Sequence, residues 1–339
     1  MKILVVKRDK IGDLLLTTPM LAHLAASRPD AEIHLLASDY NAWVVAGNPD
    51  LDRLWVYRAA RGGVAARLRA TLERLVQDAR LRRERYDWAI VANGAESPRA
   101  IARGLAAKAR RTVAYCAEPA RYPRLSDALP VDPERHEMDS LLAMLAPLGV
   151  EPPRETRYPR YELPRASSEF AAAWLGERGL KPRRYLVLGL GARRAKKQPS
   201  AEQVLRWSGR FKRAMDLDTV FMWTPGKADD PLYPGDDALA QAVLDARAPQ
   251  IHPFRGPIAQ ALGLVWSARA SVFPDSGLMH FAAASPGGVL GLFAETDVSP
   301  GPAQFAPRGR NVGYLEAAKS VAELPDELVY ERLGRLVSP

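Results

Sequence analysis

Eight consecutive residues, Asp275-Ser276-Gly277-Leu278-Met279-His280-Phe281-Ala282, gather side chains that could do chemistry in this 339-residue chain. They follow the apolar run Ala270-Ser271-Val272-Phe273 and lead into Ala282-Ala283-Ala284. The pattern predicts a buried strand, a tight turn and the start of a helix. A helix N-terminus presents backbone N–H groups without intrahelical acceptors and a partial positive charge, which suits a phosphate. The Ser276 hydroxyl and the His280 ring would reach the same place, so a nucleotide diphosphate is the first ligand to consider. Asp or Ser before a helix is also an ordinary N-cap, and Asp-Ser-Gly alone is more often that. The histidine three residues past the glycine favours the ligand reading.

A second chemistry-bearing run opens the chain: Lys7-Arg8-Asp9-Lys10-Ile11-Gly12-Asp13, ending at Thr18-Pro19. Gly12 permits a tight loop and Pro19 suits a first helical turn. Asp13 stands among Lys7, Arg8 and Lys10. It could accept a proton from a substrate hydroxyl, or it could cap a helix or pair with those cations, and the spacing leaves both open. Further on, Gly189-Leu190-Gly191-Ala192-Arg193-Arg194 invites a dinucleotide reading. The third glycine is missing, and the next strand candidate ends in Thr224-Pro225-Gly226 rather than an acidic residue, which argues against a dehydrogenase. Its continuation, Ala195-Lys196-Lys197-Gln198-Pro199, suits a pyrophosphate, although Gly-Lys-Ser/Thr is absent, so it is no Walker loop. Asp229 and Asp230 could hold ribose hydroxyls, while Asp236-Asp237 reads as a helix N-cap. Two adjacent aspartates are weak evidence for a metal, and the five histidines show no metal spacing.

The elements that must position these residues alternate between apolar runs and helical patterns. Strands are expected at Lys2–Lys7, Glu32–Ala37, Arg53–Tyr57, Asp87–Ala92 and Thr112–Cys116, with helices at Thr18–Ser27 and Val64–Arg83. Gly149 to Arg165, with four prolines, breaks the rhythm as a linker. Beyond it, strands are expected at Tyr185–Leu190, Thr219–Trp223, Ile251–Phe254, Ala270–Phe273 and Val289–Phe293. Helices are expected at Ser167–Arg178, Ala201–Met215, Ala238–Arg247, Ile258–Ala268 and Leu278–Ala284. Strands spaced by helices mean parallel βαβ units with ligands beyond the strand C-termini. The reading is therefore α/β: domains at 1–160 and 161–315, and an amphipathic segment within 316–339 packing back over the hinge.

The single cysteine, Cys116, excludes a disulfide framework and fits a reducing compartment. Met1-Lys2 leads directly into Ile3-Leu4-Val5-Val6, too short for a signal core, and no run approaches a membrane span, so a cytoplasmic protein is expected. The net charge of +9 is concentrated in the first half. Arg61, Arg67, Arg69, Arg74, Arg80, Arg82, Arg83 and Arg85 precede Arg99, Arg103, Lys108, Arg110 and Arg111. Such a balance suits a nucleic acid, an anionic membrane surface or a phosphorylated substrate; no nucleic-acid motif accompanies the patch, and no aromatic residues interleave with it, which counts against single-strand stacking, so no nucleic-acid partner is expected. A solvated helical face is the ordinary alternative for any one arginine.

Together these residues resemble glycosyltransferase family nine, the ADP-heptose:lipopolysaccharide heptosyltransferases. Ile3 through Gly12-Asp13 to Pro19 is similar to the family's opening motif. Lys196-Lys197-Gln198-Pro199 is similar to its lysine-x-Trp-Pro motif, and Asp275-Ser276-Gly277-Leu278-Met279-His280 with Ala282 to its most specific signature. Gln198 departs from the family's tryptophan, and Gly191-Ala192 from the hydroxyl residues of some members. The resemblance implies a GT-B fold, two Rossmann-like doubly wound domains facing across a cleft. It implies an inverting, metal-independent transfer without a cofactor, from a nucleotide sugar such as ADP-heptose to a phosphorylated glycolipid of the lipopolysaccharide core. Asp13 would be the general base. Lys196, Asp275, Ser276, Gly277, Leu278 and His280 would hold the donor; the loop with Asp229 does not align unambiguously onto the family's acidic ribose contact, and Asp229 is the candidate there from its own chemistry, beside Asp230. The acceptor would lie against Lys7, Arg8, Lys10 and Gly12, with possible peripheral contact at the inner face of the bacterial inner membrane. Rival readings are a GT-B transferase or epimerase using another nucleotide sugar, a non-catalytic nucleotide-sugar-binding protein, and a basic nucleic-acid-binding protein that rests on net charge alone.

Overall fold

The computed structural model describes residues 1–58, 63–192, 194–230, 235–295 and 301–337. Arg61 and Arg193, named above, lie outside them. The chain divides into two compact units, Met1–Tyr161 and Glu162–Pro339. The division falls inside the proline-rich stretch read as a linker.

The first unit is built on β1 (Lys2–Val6), β2 (Glu32–Ser38), β3 (Arg53–Tyr57), β4 (Trp88–Val91), β5 (Arg111–Tyr115) and β6 (Asp127–Leu129). All pair in parallel, in the order β3-β2-β1-β4-β5-β6. Its helices are α1 (Ile11–Leu15), α2 (Thr18–Ser27), α3 (Val64–Arg83), α4 (Pro98–Ala106) and α5 (Glu137–Ala143). Ile3, Leu4, Val5 and Val6 are all fully buried. A continuous apolar run is what a central parallel strand requires, because both of its faces are covered.

The second unit repeats the plan. Helix α6 (Arg165–Gly176) leads into β7 (Tyr185–Gly189), α7 (Ala201–Met215), β8 (Asp218–Met222), α8 (Asp237–Asp245) and β9 (Ile251–Phe254). Then come α9 (Ile258–Ser267), β10 (Ala270–Pro274), α10 (Gly277–Ala284), β11 (Val289–Ala294), α11 (Pro302–Phe305), β12 (Val312–Ala317) and α12 (Asp326–Val337). The parallel order is β12-β11-β10-β7-β8-β9. Counted from each unit's own first strand, both sheets read 3-2-1-4-5-6, the doubly wound arrangement. Each changes winding direction beside its first strand, between β1 and β4 and between β7 and β10. Ligands of such sheets bind in the crevice beyond the strand ends at that point.

The terminal helix α12 packs against α7, β10, β11 and β12 of the second unit. Arg206 Nε donates to Asp326 Oδ2 at 2.6 Å, and buried Trp207 donates through Nε1 to Asp326 Oδ1 at 2.6 Å. Val329 and Leu333 join the core cluster of α7 and the sheet. A capping box starts α7: Ser200 Oγ accepts from the Gln203 N–H at 3.2 Å, and Gln203 Oε1 accepts from the Ser200 N–H at 3.0 Å.

Gly189, the first glycine of Gly-x-Gly, is required by packing. A Cβ there would lie 2.1 Å from Cε1 of the buried Phe273 ring on the neighbouring strand β10. Gly189→Ala should lower stability by about 1–3 kcal/mol, the usual cost of overpacking a core. An unchanged urea midpoint would show that the Phe273 ring swings aside freely.

Candidate active site

In the second unit, the loops leaving β7 and β10 meet at the switch point. Asp275 and Ser276 follow β10 directly, and α10 starts at Gly277. Ser276 occupies the N-cap position with an extended backbone, φ −156° and ψ 167°, yet its side chain makes no capping bond. Its Oγ is buried and has no hydrogen-bond partner among the described residues. The ordinary cap reading therefore does not account for this hydroxyl. Gly277 and Leu278, in the first turn, are partly exposed, and His280 is buried with its ring 6.3 Å from that of Phe305.

Across from them lies the short turn Ala195–Lys197 after β7. Its two lysines have different fates. Lys197, which the sequence reading passed over, is 5% exposed and donates to Asp275 Oδ2 at 2.5 Å. Lys196, the expected phosphate contact, is exposed and donates to the carbonyl of Glu295 at 2.8 Å, just past the end of β11. A 3₁₀ turn sends adjacent side chains in different directions, so one lysine can hold the Asp275 carboxylate while the other remains at the surface. Gln198, standing where the resemblance leads one to expect tryptophan, points inward. It donates to Asp236 Oδ1 at 2.5 Å and to the Ala192 carbonyl at 3.2 Å.

Asp236 does stand at the N-cap position of α8, but its side chain bonds elsewhere. Its Oδ2 accepts from the Thr224 N–H at 3.0 Å, and burial pushes its carboxyl above the usual range. Asp237 accepts from Trp223 Nε1 at 2.8 Å and from the Gly226 N–H at 3.0 Å. The aspartate pair thus shapes the loop after β8. Asp229, in that loop, is exposed.

In the first unit the corresponding point is organised by a buried lysine. Lys7 has no exposed surface, and its Nζ lies 2.9 Å from Glu137 Oε1 and 3.2 Å from Asp9 Oδ2. Burial opposes its charge, but Glu137, Asp9 and Asp13 outweigh that and hold it protonated well above the usual lysine range. Lys7, expected to face an acceptor, instead anchors carboxylates. Sequence reading missed Glu137, Asp9 and Asn93. Asn93 Nδ2 donates to Asp9 Oδ2, and the Gly94 N–H donates to Glu137 Oε1 at 3.2 Å. A Cβ on Gly94 would lie 2.2 Å from Glu137 Oε2, so only glycine lets that carboxylate in.

Asp13 sits half-buried on α1. Its Oδ2 accepts from the Lys10 N–H at 3.2 Å, so part of the capping role is present. Burial pushes its carboxyl up to about 6; Lys7 and Lys10 pull it down, while Asp9 and Glu137 push it further up. A carboxylate so tuned is ionised at neutral pH and basic enough to take a proton. Gly12 is buried beside it, Lys10 is exposed, and Arg8 donates from Nε to the Tyr57 hydroxyl at 3.1 Å.

Among the described residues, Glu32, His34 and Glu84 bring potential metal-ligand atoms together. They lie at the opposite end of the first sheet, beside the start of β1. Lys2 already sits between the carboxylates, 3.2 Å from Glu32 and 2.9 Å from Glu84, and Arg53 pairs with Glu84 at 2.8 Å. The cluster is neutralised by its own cations.

A model of glycosyltransferase family 9 (heptosyltransferase) matches residues 74–322. No curated protein matches by sequence. Among solved structures, the chain is similar to the glycosyl transferase family 9 from Veillonella parvula DSM 2008, at 19% identity and TM-score 0.80 over 99% of this chain and 97% of that one. It is similar to the E. coli ADP-heptose lps heptosyltransferase II at 18% identity and TM-score 0.73, over 99% and 98%. E. coli heptosyltransferase WaaC with ADP matches at 16% identity and TM-score 0.73, over 99% and 100%. These likenesses establish the fold as that of the GT-B heptosyltransferases.

The raised carboxyl of Asp13 has a consequence for stability. The folded state holds this proton more tightly than the unfolded chain, so the group makes stability fall as pH rises from about 4 to about 6. Asp13→Asn removes that fall while keeping an acceptor for the Lys10 N–H. The variant should melt higher than wild type at pH 7.5, and the gap should close toward pH 4. A lower melting temperature at pH 7.5 would mean that the Asp13 charge is a net stabiliser.

Proposed function

The chain belongs to glycosyltransferase family 9, and we propose that it transfers a heptose from ADP-heptose to a phosphorylated glycolipid of the lipopolysaccharide core, by inversion and without a metal. The observation that carries the reading is Asp13: a half-buried carboxylate, tuned to about 6, beyond the C-terminal end of the first unit's central strand. In this reading Asp13 takes the proton of the acceptor hydroxyl. The acceptor oxygen attacks the anomeric carbon from the face opposite the leaving group, the bond to the phosphate oxygen breaks, and the nucleoside diphosphate departs. Attack from the opposite face inverts the anomeric centre.

The departing diphosphate gains negative charge, and without a metal the second unit must offset it. Lys196 is a surface cation that can exchange the Glu295 carbonyl for a phosphate. The Ser276 hydroxyl and the first-turn N–H groups at Gly277 and Leu278 supply donors. His280 lies one turn further and lines the sugar side. Lys197 holds the Asp275 carboxylate in place. Asp229 remains the proposed ribose contact, its exposure leaving it accessible to the nucleoside. Arg8, Lys10 and Gly12 face the acceptor, with Lys7 behind them as the anchor of Asp9 and Glu137. A protein of this activity would work in the cytoplasm, at the inner face of the inner membrane where a glycolipid acceptor is held. No described helix is long and apolar enough to cross a membrane.

If Asp13 is the base, Asp13→Asn should lower kcat by roughly 10²–10⁴-fold with ADP-heptose and a core acceptor. Wild-type kcat should rise with pH through about 6. Donor affinity, measured calorimetrically, should hardly change in Asp13→Asn, whereas Lys196→Ala and Ser276→Ala should weaken ADP binding. Near wild-type turnover of Asp13→Asn would remove it from the mechanism. Activity should also survive excess EDTA; loss with recovery on adding magnesium would reverse the metal-independent reading.

A further inference from the structure

Helix α3 turns its apolar stripe away from the protein. Its attachment to the first unit runs through its C-terminal half. Gln77 Nε2 donates to the Val56 carbonyl at 2.9 Å, Asp78 pairs with buried Arg103 at 2.6 Å, and Leu81 joins the core cluster with Leu4, Val6, Leu36 and Tyr86. Leu68, Leu72, Leu75 and Val76 lie at i, i+4, i+7 and i+8, so they share one face, and that face is the one opposite Gln77 and Leu81. They are 62%, 64%, 55% and 53% exposed. An amphipathic helix ordinarily turns such a stripe to the core. Single exposed leucines need no explanation, but four in register form a surface built for a partner.

The charge around the stripe identifies the partner's chemistry. Over its length α3 carries six arginines and two acidic residues; Asp78 is matched by Arg103 from outside the helix and Glu73 by an exposed pair with Arg69, so the helix keeps a cationic excess. Arg69 and Arg80 run along one flank of the stripe, and Arg83 closes its C-terminal end. An aliphatic strip rimmed by guanidinium groups matches a surface that is apolar below and anionic above, which is the boundary of an anionic phospholipid bilayer. We infer that α3 docks the protein on such a bilayer, with Leu68, Leu72, Leu75 and Val76 in the acyl boundary and the arginines at the lipid phosphates. This deepens the peripheral contact proposed above. It is tested by binding without turnover, so failure of the transferase reading and failure of the docking surface would be seen separately.

The test is co-sedimentation of the full chain with phosphatidylcholine vesicles and with mixed phosphatidylglycerol–phosphatidylcholine vesicles. Wild type should bind the mixed vesicles and bind the neutral ones far more weakly. Leu72→Glu/Leu75→Glu should reduce partitioning by roughly tenfold or more, since each leucine loses its transfer out of water. Arg69→Gln/Arg80→Gln should reduce it by about fivefold per arginine at low salt, and less at high salt. All four positions are exposed, so melting temperature and circular dichroism should stay at wild-type values. Absence of wild-type binding to the anionic vesicles, or equal binding by the leucine variant, would overturn the inference. So would a dimer in light scattering that Leu72→Glu/Leu75→Glu turns into a monomer, because a second copy would then be the occupant of this face.

Discussion

Lys7 carries a positive charge with no exposed surface, and the loops at the end of the first sheet are arranged around what that charge requires. An unpaired buried ammonium would cost several kcal/mol, so carboxylates must come to it. Glu137 arrives from α5 and Asp9 from the loop after β1. Gly94 then has to be glycine so that Glu137 can fit, and Asn93 has to hold Asp9. Asp13 enters a neighbourhood whose positive charge is already shared by two other carboxylates. That is why Lys7 does not depress it to an ordinary ion-pair value, and why burial prevails. The same lysine thus fixes the loop and leaves one carboxylate basic.

The second unit solves a related problem with the same parts. A buried lysine, Lys197, follows the unit's first strand and holds Asp275 at the end of the adjoining strand β10. Here the pair locks two loops together at the switch point, and it does so next to a buried hydroxyl, Ser276, that no described residue engages. In both units the positive charge nearest the sheet is structural and the cations further out, Lys10 and Lys196, remain at the surface. That division follows from solvation. A lysine deep enough to organise the loops is paired within the protein, whereas its more exposed neighbour keeps its ammonium at the water boundary.

Much of the fold was legible because its signals are local. The runs Ile3–Val6 and Tyr185–Gly189 are apolar without alternation, and α2, α3 and α7 carry their full periodicity within their own residues, so their bounds agree with expectation. Two outer strands were not legible. β6 has three residues, and β12 alternates only over its last four, with an aromatic ring, Tyr314, at an exposed position. The short α1 was missed as well, since five residues hold barely more than one turn. At the sites, residue types were legible and partnerships were not. Glu137 is 130 residues from Lys7, and nothing near it in sequence marks it as a ligand of that ammonium. Likewise Lys196 and Lys197 are the same residue type in adjacent positions, and only the turn between them and the position of Asp275 separates their roles.

The basic excess shows how little a charge count says before it is placed. Arg103 is buried against Asp78, with its guanidinium 5.1 Å from the Tyr57 ring centre, and works as a core strut. Arg53 and Arg111 lie over Trp55 and Trp88 and also pair with acids, covering the sheet's ends with their aliphatic stems. Arg8 is tethered to the Tyr57 hydroxyl. These arginines stabilise the first unit and offer little to an outside anion. What remains is concentrated on α3, where guanidinium groups accompany leucines that the protein itself does not cover. Exposed charge alone would be satisfied by water and counterions, and an apolar stripe alone would favour self-association. Only their combination on one helix discriminates in favour of an amphiphilic surface, and neither residue count reveals it until the buried face of the helix is known.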